Sequence, residues 1–234
     1  MPCHSCYESI ADEYYDPRHI TSRNFEVATR SYLDLFPSNL PDQGAILDLG
    51  SGRGSANRYC GVASKRVIQT DKSLRMLSLE PRESSCSRVV SNALFLPFQN
   101  AAFSAIVAFL YDPFNLPELY PELARVLRKN GVFLGTLPHV QWGRVLRSLR
   151  GYSADKARLI TRAGQAILRD SLLIDATELK KLLEVAGFAA VQTHDVYMPR
   201  GTNPISPDLA DPAAAFGITP FELPLILAVR ARRL

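Results

Sequence analysis

Short apolar segments alternate with amphipathic ones along the chain, and this alternation restricts the fold more than any other feature. Most of the strand-sized segments are separated by stretches with apolar residues at helical spacing. Strands alternating with helices indicate crossover units, so we predict an α/β fold: a seven-stranded, mostly parallel sheet with helices on both faces. The predicted strands are Ala45–Leu49, Arg66–Thr70, Arg88–Val90, Ala105–Leu110, Val132–Leu137, Phe188–Val196 and Leu225–Val229.

The segments between the strands carry helix signals. Residues 1–40 are expected to form a helical cap that ends at the proline-containing break 37–41. Leu116–Arg128 is predicted as a helix ended by Lys129-Asn130-Gly131, and Asp175–Ala186 as a helix capped by Asp175. We expect a single domain over residues 1–234, with a lid-like insertion at 138–174 because that connection is unusually long.

Composition excludes several classes of protein. With 47% hydrophobic residues and a net charge of +4 over 234 residues, the chain has the composition of a folded protein rather than a disordered one. No apolar run approaches the roughly 18 residues of a membrane helix, and the N-terminus does not resemble a signal peptide. The expected location is therefore cytoplasmic. Positive charge is concentrated in Trp142–Asp170.

The cysteines do not form a metal-binding pattern. Cys3 and Cys6 flank His4 in a CxxC, but Cys60 and Cys86 have no Cys or His partner at short spacing to complete a zinc site. We therefore expect no bound metal and free thiols.

The first predicted strand ends in a glycine cluster, Asp48-Leu49-Gly50-Ser51-Gly52-Arg53-Gly54. Glycines at alternate positions allow a tight turn and a close approach of the backbone to a ligand. A nicotinamide-binding GxGxxG would need a small residue one place later, where Ser55 stands, and a P-loop signature is absent. Asp71 ends the second strand, 21 residues after Gly50, where an acidic side chain can accept hydrogen bonds from a ribose.

This stretch resembles the class I S-adenosylmethionine-dependent methyltransferases, whose first motif reads approximately (D/E)xGxGxG. Val89–Phe98, Leu123–Leu134 and Glu178–Phe188 resemble later segments of that family, in the family's order. The resemblance implies transfer of a methyl group from S-adenosylmethionine. The cofactor-binding residues that it implies are Asp48, Gly50, Ser51, Gly52, Gly54, Asp71, Lys72, Asn92, Ala93 and Phe109.

The chain departs from the family pattern at several positions. Asn92 replaces an acidic residue, although its carbonyl oxygen can still accept a hydrogen bond from an adenine amino group. Ser104 stands where the family often has Asp, and Lys129-Asn130 replaces Pro-Gly.

The catalytic residues are less well defined by the sequence. Asp112-Pro113-Phe114-Asn115 is similar to the (D/N)PP(Y/F) motif of some amino-group methyltransferases but lacks its second proline, so a simple turn is the alternative. His19, Asp112 and His139 are the candidate catalytic residues. Tyr14–His19 resembles a segment that small-molecule methyltransferases place over the cofactor.

Three functions remain open at this stage. The leading one is methylation of a small molecule by a monomer or homodimer. The second is methylation of RNA or protein through the arginine-rich insertion, and the third is a methyltransferase-like binding protein without catalysis.

Overall fold

The computed structural model describes residues 6–16, 18–35, 40–79, 85–161 and 163–234. Its strands are β1 (Ile46–Leu49), β2 (Val67–Asp71), β3 (Ser87–Val90), β4 (Phe103–Phe109), β5 (Leu127–Pro138), β6 (Lys156–Ile160), β7 (Ala166–Asp170), β8 (Phe188–Val196) and β9 (Ile226–Arg233). Its helices are α1 (Cys6–Tyr14), α2 (Ile20–Leu35), α3 (Ser55–Cys60), α4 (Leu74–Leu77), α5 (Leu119–Val126), α6 (Val140–Arg150), α7 (Ala176–Val185) and α8 (Pro207–Ala215).

Seven of the strands form one sheet, in the order β3-β2-β1-β4-β5-β9-β8. Strands β1 to β5 run parallel, whereas β9 is antiparallel to both of its neighbours, β5 and β8. The predicted α/β fold is confirmed. The strand order changes direction between β1 and β4, and sheets of this kind bind ligands beyond the carboxyl ends of the strands at that point.

Apolar residues on the two faces of the sheet explain why helices cover both. On one face, Leu123 of α5 and Leu179 of α7 pack in a cluster with Leu47 and Ile106 of the sheet. On the other face, Phe25 of α2 and residues of α6 and α8 pack in a cluster with Val107 and Leu134 of the sheet. Strand β4 is buried from Phe103 to Ala108, which accounts for its almost continuous apolar sequence.

Helix α5 ends earlier than predicted. It stops at Val126 rather than Arg128, and β5 already begins at Leu127. Leu127 is fully buried and pairs with Phe103, while Ala105 pairs with Val132, so the intervening residues bulge out of register. Asn130 adopts a positive φ of 60° in this bulge. Burial and pairing of Leu127 in the sheet therefore outweigh the local signals that predicted a helix as far as Arg128.

The insertion at 138–174 contains α6 and a separate hairpin, β6–β7, which pairs with no other strand of the described residues. Part of the predicted break at 37–41, residues 37–39, lies outside the described residues, as do Cys3 and His4 of the CxxC segment. In the part of the chain that is described, no helix is long and apolar enough to cross a membrane.

Replacing Leu123 with alanine tests the α5 face of the core. Leu123 is fully buried, so Leu123→Ala is expected to lower the free energy of unfolding by about 2–5 kcal/mol through lost apolar contact and a residual cavity. Leu149→Ala, at a leucine that is 48% exposed, is the control and is expected to change it by less than about 0.5 kcal/mol. Chemical denaturation measures both, and equal losses would contradict the assignment of the core.

Candidate active site

A cavity of about 1000 Å³ lies at the carboxyl ends of β1, β2 and β4. Residues of the N-terminal helices, the glycine loop and the insertion 138–174 also line it. Of the ten predicted cofactor-binding residues, seven line the cavity: Gly50, Gly52, Asp71, Lys72, Asn92, Ala93 and Phe109.

The glycine loop depends on conformations that other residues adopt with strain. Gly50, Gly52 and Gly54 have positive φ values of 63°, 52° and 91°. Asp48, fully buried behind the loop, accepts a hydrogen bond from the backbone N–H of Ala56 at 2.8 Å and so holds the start of α3. Asp48, Ser51 and Gly54 do not line the cavity, and Asp48 binds the backbone at the start of α3.

The N-terminal segment packs directly onto this loop. A Cβ atom added to Gly52 would lie 2.0 Å from the hydroxyl oxygen of Tyr15. The same hydroxyl accepts a hydrogen bond from the backbone N–H of Arg53 at 3.3 Å, and the Arg53 guanidinium lies 4.0 Å from the centroid of the Tyr15 ring. Gly52 therefore provides the space in which Tyr15 covers the loop.

Asp71 lies where β2 ends, half-buried in the wall of the cavity. Its two carboxylate oxygens accept hydrogen bonds from the backbone N–H groups of Gly52, at 3.1 Å, and Ser73, at 2.9 Å. Burial raises the pKa of Asp71, and these backbone hydrogen bonds act in the opposite direction. The carboxylate thus links the glycine loop to β2 and presents acceptor oxygens to the cavity.

Asn92 also lines the cavity, but its side chain supports the local turn. The Oδ1 atom accepts a hydrogen bond from the backbone N–H of Leu94 at 3.1 Å. This carbonyl oxygen has a second lone pair, so the turn does not use up its capacity as an acceptor.

Asp112 lies in the short 3-10 turn Asp112–Phe114 that follows β4. It is fully buried and does not line the cavity. Its Oδ2 atom lies 2.8 Å from Nη1 of Arg169 on β7, and its backbone carbonyl accepts from the N–H of Leu172 at 2.9 Å. Asp112 thus helps to attach the hairpin β6–β7 to the end of β4.

The two candidate histidines occupy different environments. His19 lines the cavity. His139 does not, and it caps α6 instead: its Nδ1 atom accepts from the backbone N–H of Gln141 at 3.2 Å, and Nε2 lies 3.3 Å from Asp195. Burial lowers the pKa of His139, although Asp195 acts in the opposite direction.

Sequence reasoning missed several residues of the cavity wall. Trp142, Arg147 and Arg169 come from the insertion, and Tyr59 and Glu26 come from α3 and α2. The concentration of positive charge in Trp142–Asp170 was the available signal for the insertion, but the sequence does not show which of its arginines face inward. Among the described residues, no group of three or more His, Cys, Asp or Glu side chains is arranged to hold a metal ion.

Comparison with known proteins identifies the class of this site. Residues 47–135, from β1 to the middle of β5, match the family described as a methyltransferase domain. An uncharacterized protein of Methanocaldococcus jannaschii is 28% identical over 175 residues, which are 68% of this chain and 67% of that protein.

Two solved structures share the fold over nearly the whole chain. One is from a complex that contains the Haloferax volcanii Trm112 methyltransferase activator, with a TM-score of 0.72, 14% identity and 98% coverage of both chains. The other is a Thermotoga maritima SAM-dependent methyltransferase, described as a possible histamine N-methyltransferase, with a TM-score of 0.64, 18% identity and coverage of 97% of this chain and 98% of that one.

Residues 47–135 thus match a methyltransferase domain, and the sheet order and the solved structures give the chain the fold of the class I, S-adenosylmethionine-dependent methyltransferases. The residues present fit this cofactor. Gly50 and Gly52 line the cavity with backbone that carries no side chain, and Asp71 presents a carboxylate beside Gly52.

The close contact between Gly52 and Tyr15 generates a prediction with a matched control. Gly52→Ala and Gly61→Ala both place a Cβ at positive φ, which costs about 1–2 kcal/mol, but the added atom at Gly61 would have no neighbour within 4 Å. Gly52→Ala is therefore expected to destabilise the protein by about 1–3 kcal/mol more than Gly61→Ala, because Tyr15 must move. Thermal unfolding of both variants checks this, and equal losses would show that Tyr15 does not constrain the loop.

The cap at His139 generates a prediction about pH. The pKa of this histidine is lower in the folded protein than its ordinary value of 6.5, so the unfolded chain takes up the proton first as pH falls. Stability from this group is complete above pH 6.5 and is lost as pH falls through the lowered pKa. His139→Asn keeps a capping side chain and is expected to lose less stability than wild type between pH 8 and about pH 5. If the curves of unfolding free energy against pH are parallel for the two proteins, His139 does not contribute this pH dependence and the prediction is contradicted.

Proposed function

We propose that this methyltransferase modifies a small molecule held inside the cavity. The observation that carries the proposal is the cover over the carboxyl ends of the strands, since α1 packs against both α4 and β7. The N-terminal helices and the insertion thus meet above the cavity. A volume of about 1000 Å³ lies at the upper end of the range for small-molecule sites, which leaves room for an acceptor beside the cofactor.

The aromatic lining supports the same proposal. The aromatic residues that line the cavity include Tyr7, Tyr14, Tyr15, Tyr59 and Trp142, and the ring of Tyr14 contacts the rings of Tyr7 and Tyr15 edge to face. Burial raises the pKa of Tyr14 and of Tyr15, so both hydroxyls stay protonated at neutral pH. Neutral aromatic walls exclude water and favour a positively charged sulfur nearby.

The chain's own residues have separate tasks in this proposal. Bound S-adenosylmethionine supplies a methyl group on a positively charged sulfur. Asp71 and the glycine loop hold the cofactor, and the insertion orients the acceptor and excludes water, which supplies most of the rate of such a transfer. His19 is the candidate proton acceptor, because it lines the cavity whereas Asp112 pairs with Arg169 and His139 caps α6.

A second candidate function follows from the likeness to the Haloferax chain, whose complex contains a methyltransferase activator. In that case the protein assembles with an activator and methylates RNA or protein through the basic insertion. Because the N-terminal helices and the insertion cover the cavity, this is the less favoured candidate. A cytoplasmic location and a monomeric or dimeric state also stay predictions.

Calorimetric titration with S-adenosylmethionine and with S-adenosylhomocysteine tests the proposed function. Asp71→Ala is expected to weaken the binding of both by about 1–3 kcal/mol, because it removes the proposed acceptor for the ligand's hydroxyl groups and leaves the backbone N–H groups of Gly52 and Ser73 without their acceptor. Asp42→Ala removes an exposed carboxylate outside the cavity and is the control, with unchanged affinity expected.

The acceptor class is tested with the same preparations. Methyl transfer to members of a small-molecule panel by the protein alone is the expected result. Transfer only to RNA or protein, or only after an activator is added, would favour the second candidate. Failure of the wild type to bind either ligand would contradict both.

A further inference from the structure

Arg147 is a buried cation without a carboxylate partner among the described residues. It is 6% exposed and lines the cavity from α6. Its guanidinium donates to the carbonyl oxygens of Ala154 and Ser171 and to the Ser171 hydroxyl, the last at 2.8 Å. All of these acceptors are neutral. Burying a charge without a counter-charge costs free energy, and the hydrogen-bond partners of Arg147 supply no negative charge.

Arg169 lies close enough to Arg147 for its positive charge to lower the pKa of Arg147. Burial lowers the pKa of Arg147 and the positive charge of Arg169 lowers it further, while the more distant charges of Asp112 and Asp155 oppose the shift. Arg169 pairs with Asp112 through Nη1 alone, and its Nε is buried without a hydrogen-bond acceptor in the part of the chain described. Of these two buried guanidinium groups, only Arg169 contacts a buried carboxylate among the residues described, that of Asp112, and the Nε donor of Arg169 is unused.

The insertion gives this side of the cavity an excess of positive charge. Its charged side chains that line the cavity are Arg147, Lys156, Arg158, Arg169 and Asp170. Lys156 and Asp170 form an ion pair at 2.5 Å across the hairpin and offset each other. The remaining three are arginines, whose planar donors match the oxygens of carboxylates and phosphates.

We propose that Arg147 and Arg169 form a subsite for an anionic group, a carboxylate or phosphate, of the methyl acceptor. This inference rests on the proposed function and narrows the class of small molecule. The anion completes the missing counter-charge of Arg147 and occupies the unused donor of Arg169. The cofactor's own carboxylate is the other possible source of such a group, and the two sources differ in whether an added anion and the cofactor bind together.

The test is titration of the chain, saturated with S-adenosylhomocysteine, with inorganic phosphate and with acetate at constant ionic strength. Calorimetry measures binding, and fluorescence of Trp142 reports it from within the cavity, since Trp142 lines the cavity and is the single tryptophan of the chain. We expect saturable binding of at least one of the two anions while S-adenosylhomocysteine stays bound.

Two substitutions on α6 distinguish binding of the anion at the subsite from a general effect of the protein's net charge. Arg147→Gln is expected to weaken the anion about tenfold or more, as for loss of a charged hydrogen-bonding group, with unchanged affinity for S-adenosylhomocysteine. Arg144→Gln removes the same charge from an exposed position one turn away and outside the cavity, and is expected to have no effect. If Arg147→Gln does not fold, the double variant Arg169→Gln with Asp112→Asn replaces the ion pair by neutral groups and is expected to show the same loss.

Three results would overturn the proposal: no binding of either anion to wild type, displacement of S-adenosylhomocysteine by the anion, or equal loss in the Arg144→Gln and Arg147→Gln variants. Displacement would assign the arginines to the cofactor's carboxylate. If the wild type does not bind S-adenosylhomocysteine, the proposed function fails, and the same anion titrations on the unloaded chain still decide whether the arginines bind an anion.

Discussion

The ion pair between Asp112 and Arg169 joins the end of β4 to the hairpin β6–β7, and the wall that the insertion contributes to the cavity depends on this connection. A two-stranded hairpin is marginally stable by itself in water, and this one pairs with no strand of the main sheet. Neighbouring contacts reinforce the attachment: the amide of Asn115 donates to the carbonyl of Leu172 at 3.0 Å, and Arg147 donates to Ser171. The insertion is therefore held at the position where the sheet ends.

The ion pair with Arg169 also determines what the Asp112 carboxylate, at the end of β4, can do. In this protein the carboxylate after that strand neutralises an arginine of the insertion and does not face the cavity. Asp112 is therefore not placed to act as a base on a molecule in the cavity, and the proposed function assigns catalysis to enclosure and alignment instead. The charge of the insertion that Asp112 does not neutralise is positive. Enclosure on the opposite side comes from Tyr15, which covers the glycine loop because Gly52 has no side chain to prevent it. The two sides of the cover are therefore held by different interactions. The insertion is held by a buried ion pair, whereas the N-terminal segment packs on the loop because Gly52 has no Cβ atom.

Local signals predicted the sheet well and the insertion poorly. The sequence predicted that the glycine loop follows Leu49 and that Asp71 ends β2. Both predictions were possible because strand burial and turn conformation depend on a few neighbouring residues. The end of α5 was predicted wrongly because the pairing of Leu127 with Phe103, a distant contact, outweighs the helix signal. The hairpin β6–β7 was not predicted, since its strands are half exposed and lack a distinctive apolar pattern. The roles of Asp112 and His139 also depended on partners, Arg169 and Asp195, that the sequence does not pair with them.

The sequence by itself determined the class of fold, the glycine loop and the carboxylate beside it, because each follows from local periodicity and from backbone conformations that glycine alone adopts without strain. The tertiary structure decided which side chains enclose the cavity and which charges remain uncompensated within it. Those properties arise from contacts between residues far apart in the chain, such as Gly52 with Tyr15 and Asp112 with Arg169, and from the low polarity of the interior, where a charge must find a partner.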